Sequence, residues 1–319
     1  MAIRHVRLQF CSIVLWLSSA GFLFVGCAGL NTMEMLQKAD NMPSRFELEA
    51  VPFYPQKAYQ CGPAALAMAL NWTDLPISPE DLTDEVFTPA RKGSLQSSMI
   101  TAARRHERIA YVFNGLDGLF PEVVAGHPVI VLQNLGFSWY PVWHYAVVVG
   151  YDVPQKIVVL RSGSLARKQM PFRSFKNTWA RSNYWGLLIL RPDEMPVTVK
   201  KDLFLGAVLG LEKARRFRSA IDGYGTALKR WPGSVSALTG IGNCYYALGE
   251  LKKAESAFKE TIWLNPKAGS AYNNLAVILF EQGRKPEAIK AAEKAVSLGG
   301  PLSSEYQKTL EEIQGSGIP

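Results

Sequence analysis

Hydrophobic positions fall into three regimes along this chain. An unbroken apolar run from about Leu8 to Val25 follows basic Arg4 and Arg7, the pattern of a secretory leader. From Phe46 to Pro196 the apolar residues come in short blocks. Leu48, Val51 and Phe53 alternate with polar neighbours until Pro55 and predict a short strand. VIVL (129–132), HYAVVVGY (144–151), KIVVL (156–160) and the apolar end of MPFRSFKNTWARSNYWGLLIL (170–190) predict further strands. AALAMALNW, directly after Cys61-Gly62-Pro63, predicts a helix with Cys61 in its first turn, where proline is tolerated because no intrahelical donor is needed. From Lys201 the period changes again. Ala220, Ala254 and Ala288 recur at a spacing of 34 residues, in step with Ala207, Ile241 and Leu275 and with Leu211, Tyr245 and Leu279. Tyr224 and Phe258 follow two of the alanines, and Pro232 and Pro266 close two units.

These regimes predict a leader over 1–26, a polar tether over 27–45, an α+β domain over 46–196 and an all-α repeat domain over 201–315. The repeat domain divides into units at about 201–234, 235–268 and 269–302, followed by the capping helix SSEYQKTLEEI. With 48% hydrophobic and 19% charged residues, the chain has globular rather than disordered composition. The formal charge of +8 falls to +6 without Arg4 and Arg7, and the remaining cations are scattered among acids. That distribution does not imply a nucleic-acid partner, and it suits a body held near an anionic membrane surface. No Gly-rich phosphate loop, HExxH or paired CxxC occurs, so no nucleotide, metal or other cofactor is expected.

Four cysteines are present. Cys11 lies in the leader and Cys27 at its end, after Gly26. Cys244 falls in the repeats and reads as a small buried apolar residue. Cys61 stands apart. At a helix start its sulfur meets unpaired backbone N–H groups and the positive end of the helix dipole, which predicts a depressed thiol pKa and a nucleophile. The histidine to pair with it is His144, which opens an alternating strand. His5 belongs to the leader, His106 is expected on the solvent face of a helix in ITAARRHERIA, and His127 before Pro128 reads as a turn residue. Gln56 and Gln60 compete as the amide beside the cysteine, with Gln56 preferred because a side chain next to the nucleophile usually points elsewhere. Trp139, Tyr140 and Trp143 read equally as packing residues or as the lining of a substrate groove.

VPFYPQ, CGPAALAMAL and HYAVVVGYD, in that order, resemble the papain-like peptidases that trim double-glycine leaders in bacteriocin exporters, in the free-standing form without a transporter. The resemblance covers about residues 46–196. It implies that Cys61 attacks the scissile carbonyl, that His144 takes and returns the proton, and that Gln56 with the Cys61 N–H stabilises the oxyanion. The family's third residue, an aspartate or asparagine on the next strand, is missing: the chain reads Arg161-Ser162-Gly163. Alternation places Val158, Leu160 and Ser162 on one face and Ile157, Val159 and Arg161 on the other. A guanidinium would repel an imidazolium, so Ser162 is the expected orienting residue, and Asp152 in its turn is not a substitute.

The end of the leader resembles a bacterial lipobox with Cys27 as the lipidated residue, and Ala28 after it implies the outer membrane, facing the periplasm. An uncleaved signal anchor is the alternative. The 34-residue period resembles the tetratricopeptide repeat, which implies a curved surface for a protein partner. Asn243, Asn273 and Asn274 read either as concave-face contacts for a peptide backbone or as ordinary helix surface. Together these readings predict a membrane-tethered cysteine peptidase acting on a protein or peptide substrate recruited by its repeats. A catalytically silent peptide-binding adaptor and an acyl-transferring thiol enzyme are the alternatives.

Overall fold

The computed structural model describes residues 42–316. The leader, Cys27 and most of the expected tether lie outside them. The N-terminal region is built on a sheet of seven strands. In chain order these are β1 (Arg45–Glu47), β4 (Ile109–Asn114), β5 (Val129–Asn134), β6 (Trp143–Asp152), β7 (Ile157–Ser162), β8 (Leu165–Pro171) and β9 (Trp185–Leu190). Across the sheet the order is β4-β9-β5-β6-β7-β8, with β1 added along the far end of β6, and every pairing is antiparallel. A separate two-strand hairpin joins β2 (Phe87–Thr88) to β3 (Gly93–Ser94).

Helices cover both faces of the sheet. One face carries α1 (Cys61–Trp72), α2 (Pro79–Val86) and α3 (Gln96–Arg105). Every residue of α1 from Gly62 to Leu70 is buried, as an Ala- and Leu-rich helix without a polar stripe must be. It packs on Ile130, Leu132, Tyr145, Val147, Val149, Val159 and Leu187. The other face carries α4 (Leu119–Val124) and α5 (Phe172–Ala180), packed on Val129, Val131, Ala146, Val148, Val158 and Leu160. Coverage on both sides explains why β5 and β9 are buried along their whole length, with apolar runs VIVL and WGLLIL rather than alternation.

One expectation fails locally, and another is met with an addition. Residues 48–56 form no strand: β1 ends at Glu47, and Leu48 N–H only extends its pairing by one bond to Val149 O at 2.8 Å. What alternation suggested there is instead a chain held from outside by Arg161, as described below. The strand expected at the apolar end of MPFRSFKNTWARSNYWGLLIL is β9, and a helix not expected there, α5, precedes it, with Phe172, Phe175 and Trp179 on one buried face at helical spacing.

The C-terminal region is helical: α6 (Lys201–Lys213), α7 (Phe217–Arg230), α8 (Val235–Ala247), α9 (Leu251–Leu264), α10 (Gly269–Glu281), α11 (Lys285–Leu298) and α12 (Ser303–Gly315). Ala220, Ala254 and Ala288 are fully buried where paired helices cross, since only a small side chain lets helix axes approach there. Cys244 is fully buried, and burial with the nearby Glu212 charge pushes its thiol up to about 12. Asn243 and Asn274 face each other along the stack: Asn274 Nδ2 donates to Asn243 Oδ1 at 3.1 Å, and Asn243 Nδ2 donates to Glu212 at 3.4 Å.

The two regions share a core. Phe204, Val208 and Leu211 of α6 and Tyr224 of α7 belong to the same apolar cluster as Ile109, Tyr111 and Leu190 of the sheet. The connecting segment is pinned by Glu122, a fully buried carboxylate that accepts Thr198 N–H at 2.6 Å and Val197 N–H at 3.3 Å and lies 2.7 Å from His127 Nδ1. The later helices form a cluster of their own around Phe258, Ala276, Leu279 and Ile313. Among the described residues no helix is long and apolar enough to cross a membrane.

Candidate active site

Cys61 is the first residue of α1. The N–H groups of Cys61 and Gly62 precede the first intrahelical bond, Ala64 N–H to Gln60 O at 3.2 Å, and Pro63 has no N–H to offer. Both free N–H groups, and that of Tyr145 on β6, act on the sulfur and favour its thiolate. Burial acts the other way and prevails, so the thiol pKa is raised, not depressed as the helix start alone suggested. The desolvation of a charge on a side chain packed against the α1 core exceeds what three backbone dipoles return. Gly62 is a spatial requirement: a Cβ there would run into the Ser94 side chain on β3.

His144 is the second residue of β6 and pairs with Gln133 of β5. Its Nε2 lies 2.8 Å from Ser162 Oγ, and Ser162 is almost fully buried. Burial, helped by the positive charge of Lys168 on β8, lowers the imidazole pKa to about 4. The ring is therefore neutral at neutral pH. In the tautomer whose Nε2–H donates to Ser162, Nδ1 carries the free lone pair.

Tyr145, Val147 and Val149 point to the α1 side of β6, and Ala146 and Val148 to the other. His144 has the parity of the second set, so it reaches the sulfur only around the end of the strand. Both residues line one cleft of about 920 Å³. Among the described residues no hydrogen bond joins them, and the resting site is a neutral thiol beside a neutral imidazole rather than a preformed ion pair.

Gln56 also lines this cleft, and Gln60 does not. The Gln56 amide is fixed at both ends. Its Nε2 donates to Tyr145 O at 3.2 Å, its Oε1 accepts Gly163 N–H at 2.8 Å, and its own N–H donates to Gly163 O at 2.9 Å. Gly163 makes these bonds at φ +62, a conformation open to glycine. One N–H of the Gln56 amide stays free to donate.

Arg161 points away from His144. It is buried and donates to Val51 O at 3.2 Å, Glu49 O at 2.8 Å and Ala166 O at 2.7 Å, so it clamps the strandless segment ahead of Gln56. Asp152 ends β6, where it accepts Gln155 N–H at 3.0 Å. His106 is half-buried, not on a free solvent face, with Nε2 2.9 Å from Glu85. Of the aromatics, Tyr140 and Trp143 line the cleft, whereas Trp139 is 80% exposed and stacks on Phe137 at 5.6 Å. Lys168 was not anticipated. On β8 half-buried Lys168 and Met170 alternate with exposed Arg167 and Gln169, a pattern that LARKQMP does not announce because Arg167 and Lys168 are both cations. Among the described residues no cluster of His, Cys, Asp and Glu is arranged to hold a metal.

Comparison with known proteins places these features. Residues 48–186 match the Peptidase_C39 like family, and residues 205–263 and 253–302 match the tetratricopeptide repeat. The chain is 31% identical over 85 residues to the small glutamine-rich tetratricopeptide repeat-containing protein 2 of Mycosarcoma maydis, covering 27% of this chain and 24% of that protein. It is 29% identical over 77 residues to stress-induced-phosphoprotein 1 of Caenorhabditis elegans, covering 24% of each. The chain thus spans about a quarter of the length of these curated relatives. Among solved structures, a C39-like peptidase from Bacillus anthracis superposes with a TM-score of 0.38 at 19% identity, over 46% of this chain and 97% of that one. The protein is an α+β C39-like domain followed by a helical tetratricopeptide repeat region.

Proposed function

We propose that the C39-like domain is a cysteine peptidase in which Cys61 is the nucleophile, His144 the base and then the acid, Gln56 an oxyanion donor and Ser162 the residue that holds the imidazole. The observation that carries this reading is the 2.8 Å contact between His144 Nε2 and Ser162 Oγ, which holds the ring by one nitrogen at a cleft that Cys61 also lines and leaves Nδ1 as the base. Because thiol and ring are both neutral at rest, the proton moves from Sγ to Nδ1 as the sulfur attacks, and the resulting carbonyl oxyanion meets the Cys61 N–H and the free Gln56 N–H. His144 then gives the proton to the leaving amine, and water hydrolyses the thioester. The first transfer needs Nδ1 within hydrogen-bond reach of the sulfur, a contact that in unliganded sites is often long and tightens when substrate binds.

Two observations favour a second reading, a peptide-binding cleft without turnover. Ser162 stands where a carboxylate would stabilise an imidazolium, and Lys168 adds a repelling charge. A peptide carrying a thiol-reactive electrophile decides between the two: wild type is labelled at Cys61, Cys61→Ala is not, and His144→Ala slows labelling by roughly 10²–10⁴. Labelling indifferent to loss of His144 would overturn the peptidase.

Two further parts of the proposal rest on sequence. Lipid attachment at Cys27, in a residue outside those described, tethers the protein to the outer membrane on its periplasmic side; fatty-acid incorporation that persists in Cys27→Ala refutes it. The repeat region recruits the protein substrate or a partner assembly, since stacked helix pairs of this kind present a continuous peptide-binding surface.

A further inference from the structure

We propose that the cleft selects an extended peptide segment carrying acidic side chains beside a large apolar residue. The inference deepens the peptidase reading by naming its substrate class, and it rests on two groups of lining residues that catalysis does not use. The first is cationic. Lys57, ahead of α1, and Arg91 and Lys92, between β2 and β3, line the cleft, and among the described residues no carboxylate does. Lys57 has an exposed partner, Glu80, at 3.1 Å. Arg91 and Lys92 form no ion pair among the described residues, and Lys92 Nζ lies 6.0 Å from the Tyr59 ring centroid. A concave site lined by one sign of charge concentrates its field and selects ligands of the opposite sign.

The second group is apolar. Tyr140, Val142 and Trp143 line the same cleft and are 67%, 47% and 50% exposed. The loop that carries them is built rather than slack. Asn134 Oδ1 accepts Gly136 N–H at 3.0 Å and Val142 N–H at 2.9 Å, Phe137 N–H donates to Tyr140 O at 3.0 Å, and Arg181 Nη1 donates to Asn134 O at 2.9 Å. Aromatic side chains held out by a fixed backbone lose little entropy on binding, which suits them to seat an apolar side chain. Cations and aromatics together also suit an anionic membrane surface. The peptide is favoured because both groups line the cleft that contains the sulfur instead of lying apart from it.

The test is binding to the full chain carrying Cys61→Ala, which separates recognition from turnover. Short fluorescent peptides with a central phenylalanine flanked by glutamate, glutamine or lysine are titrated by anisotropy at low and high ionic strength. The glutamate peptide is expected to bind roughly tenfold more tightly than the lysine peptide at low salt, with the gap closing at high salt. The triple variant Lys57→Gln, Arg91→Gln, Lys92→Gln abolishes the gap, and Tyr140→Ala weakens all three peptides alike. These cations are exposed, so their replacement leaves folding intact. Equal affinity for the three peptides overturns the proposal, as does a preference that survives the triple variant. Binding of phosphatidylglycerol vesicles without peptide binding also overturns it and assigns the surface to a membrane. Wild-type cleavage without acidic preference refutes this inference and leaves the peptidase, whereas acidic preference without cleavage does the reverse.

Discussion

The cleft and the repeat stack are built on opposite terms. In the repeats, Ala220, Ala254 and Ala288 are buried at equal intervals, and contacts join neighbours in sequence. In the cleft, Gln56 is bonded to residues 89 and 107 positions away, and the histidine's partner lies on the next strand. The first arrangement repeats one packing solution from unit to unit. The second depends on single bonds with no duplicate. Yet the two are not separable bodies: α6 completes the sheet's core, while only the later helices close a core of their own. The repeat array is therefore anchored in the C39-like fold at one end, while its later helices close a core of their own at the other.

The contrast breaks most sharply at the nucleophile. Cys61→Ala is expected to abolish peptidase turnover while leaving thermal unfolding and repeat-mediated binding unchanged, read by calorimetry beside a peptide-cleavage assay; residual turnover at wild-type rate would place the chemistry elsewhere. Next come two phenylalanines. Phe204→Ala in α6 and Phe258→Ala in α9, both buried, should each cost about 3–5 kcal/mol through the cavity left behind. Phe204→Ala should also reduce electrophile labelling of Cys61, and Phe258→Ala should not. Equal effects on labelling would show that the shared core does not matter to the cleft.

Acid provides a third handle. The folded-state pKa of His144, about 4, lies below its ordinary value of 6.5. Protonation therefore favours the unfolded chain, and stability is lost as pH falls from 6.5 toward 4, by at most on the order of 3 kcal/mol. His144→Gln should flatten that part of the stability profile. Activity needs the neutral ring, so kcat/KM should hold down to about pH 5 and fall through about 4. The smallest effect is expected at Ser162. Ser162→Ala removes one neutral hydrogen bond, worth about 1 kcal/mol and several-fold in kcat, whereas Ser162→Asp should move the acid limb upward by stabilising the imidazolium. An acid limb unmoved by both variants would mean that Ser162 does not hold the catalytic ring.

The sequence by itself determined the fold class, an α+β region followed by helical repeats, and named the candidate groups of the cleft. Periodicity alone locates the helical repeats, because each unit solves the same packing problem and so repeats the same small residues. Cys61 at a helix start, His144 at a strand start, and Ser162 rather than Arg161 facing it all follow from local geometry, since the two-residue period of a strand fixes which neighbours share a face. Tertiary structure decided the charge states and the partners. Burial of Cys61 outweighs the helix-start amides, Lys168 and burial keep His144 neutral, Arg161 holds residues 49 and 51 in place of a strand, and Glu122 clamps the segment leading into α6. None of these is readable along the chain, because a pKa or a buried ion's partner depends on what lies nearby in space, and space is assigned only when distant segments pack.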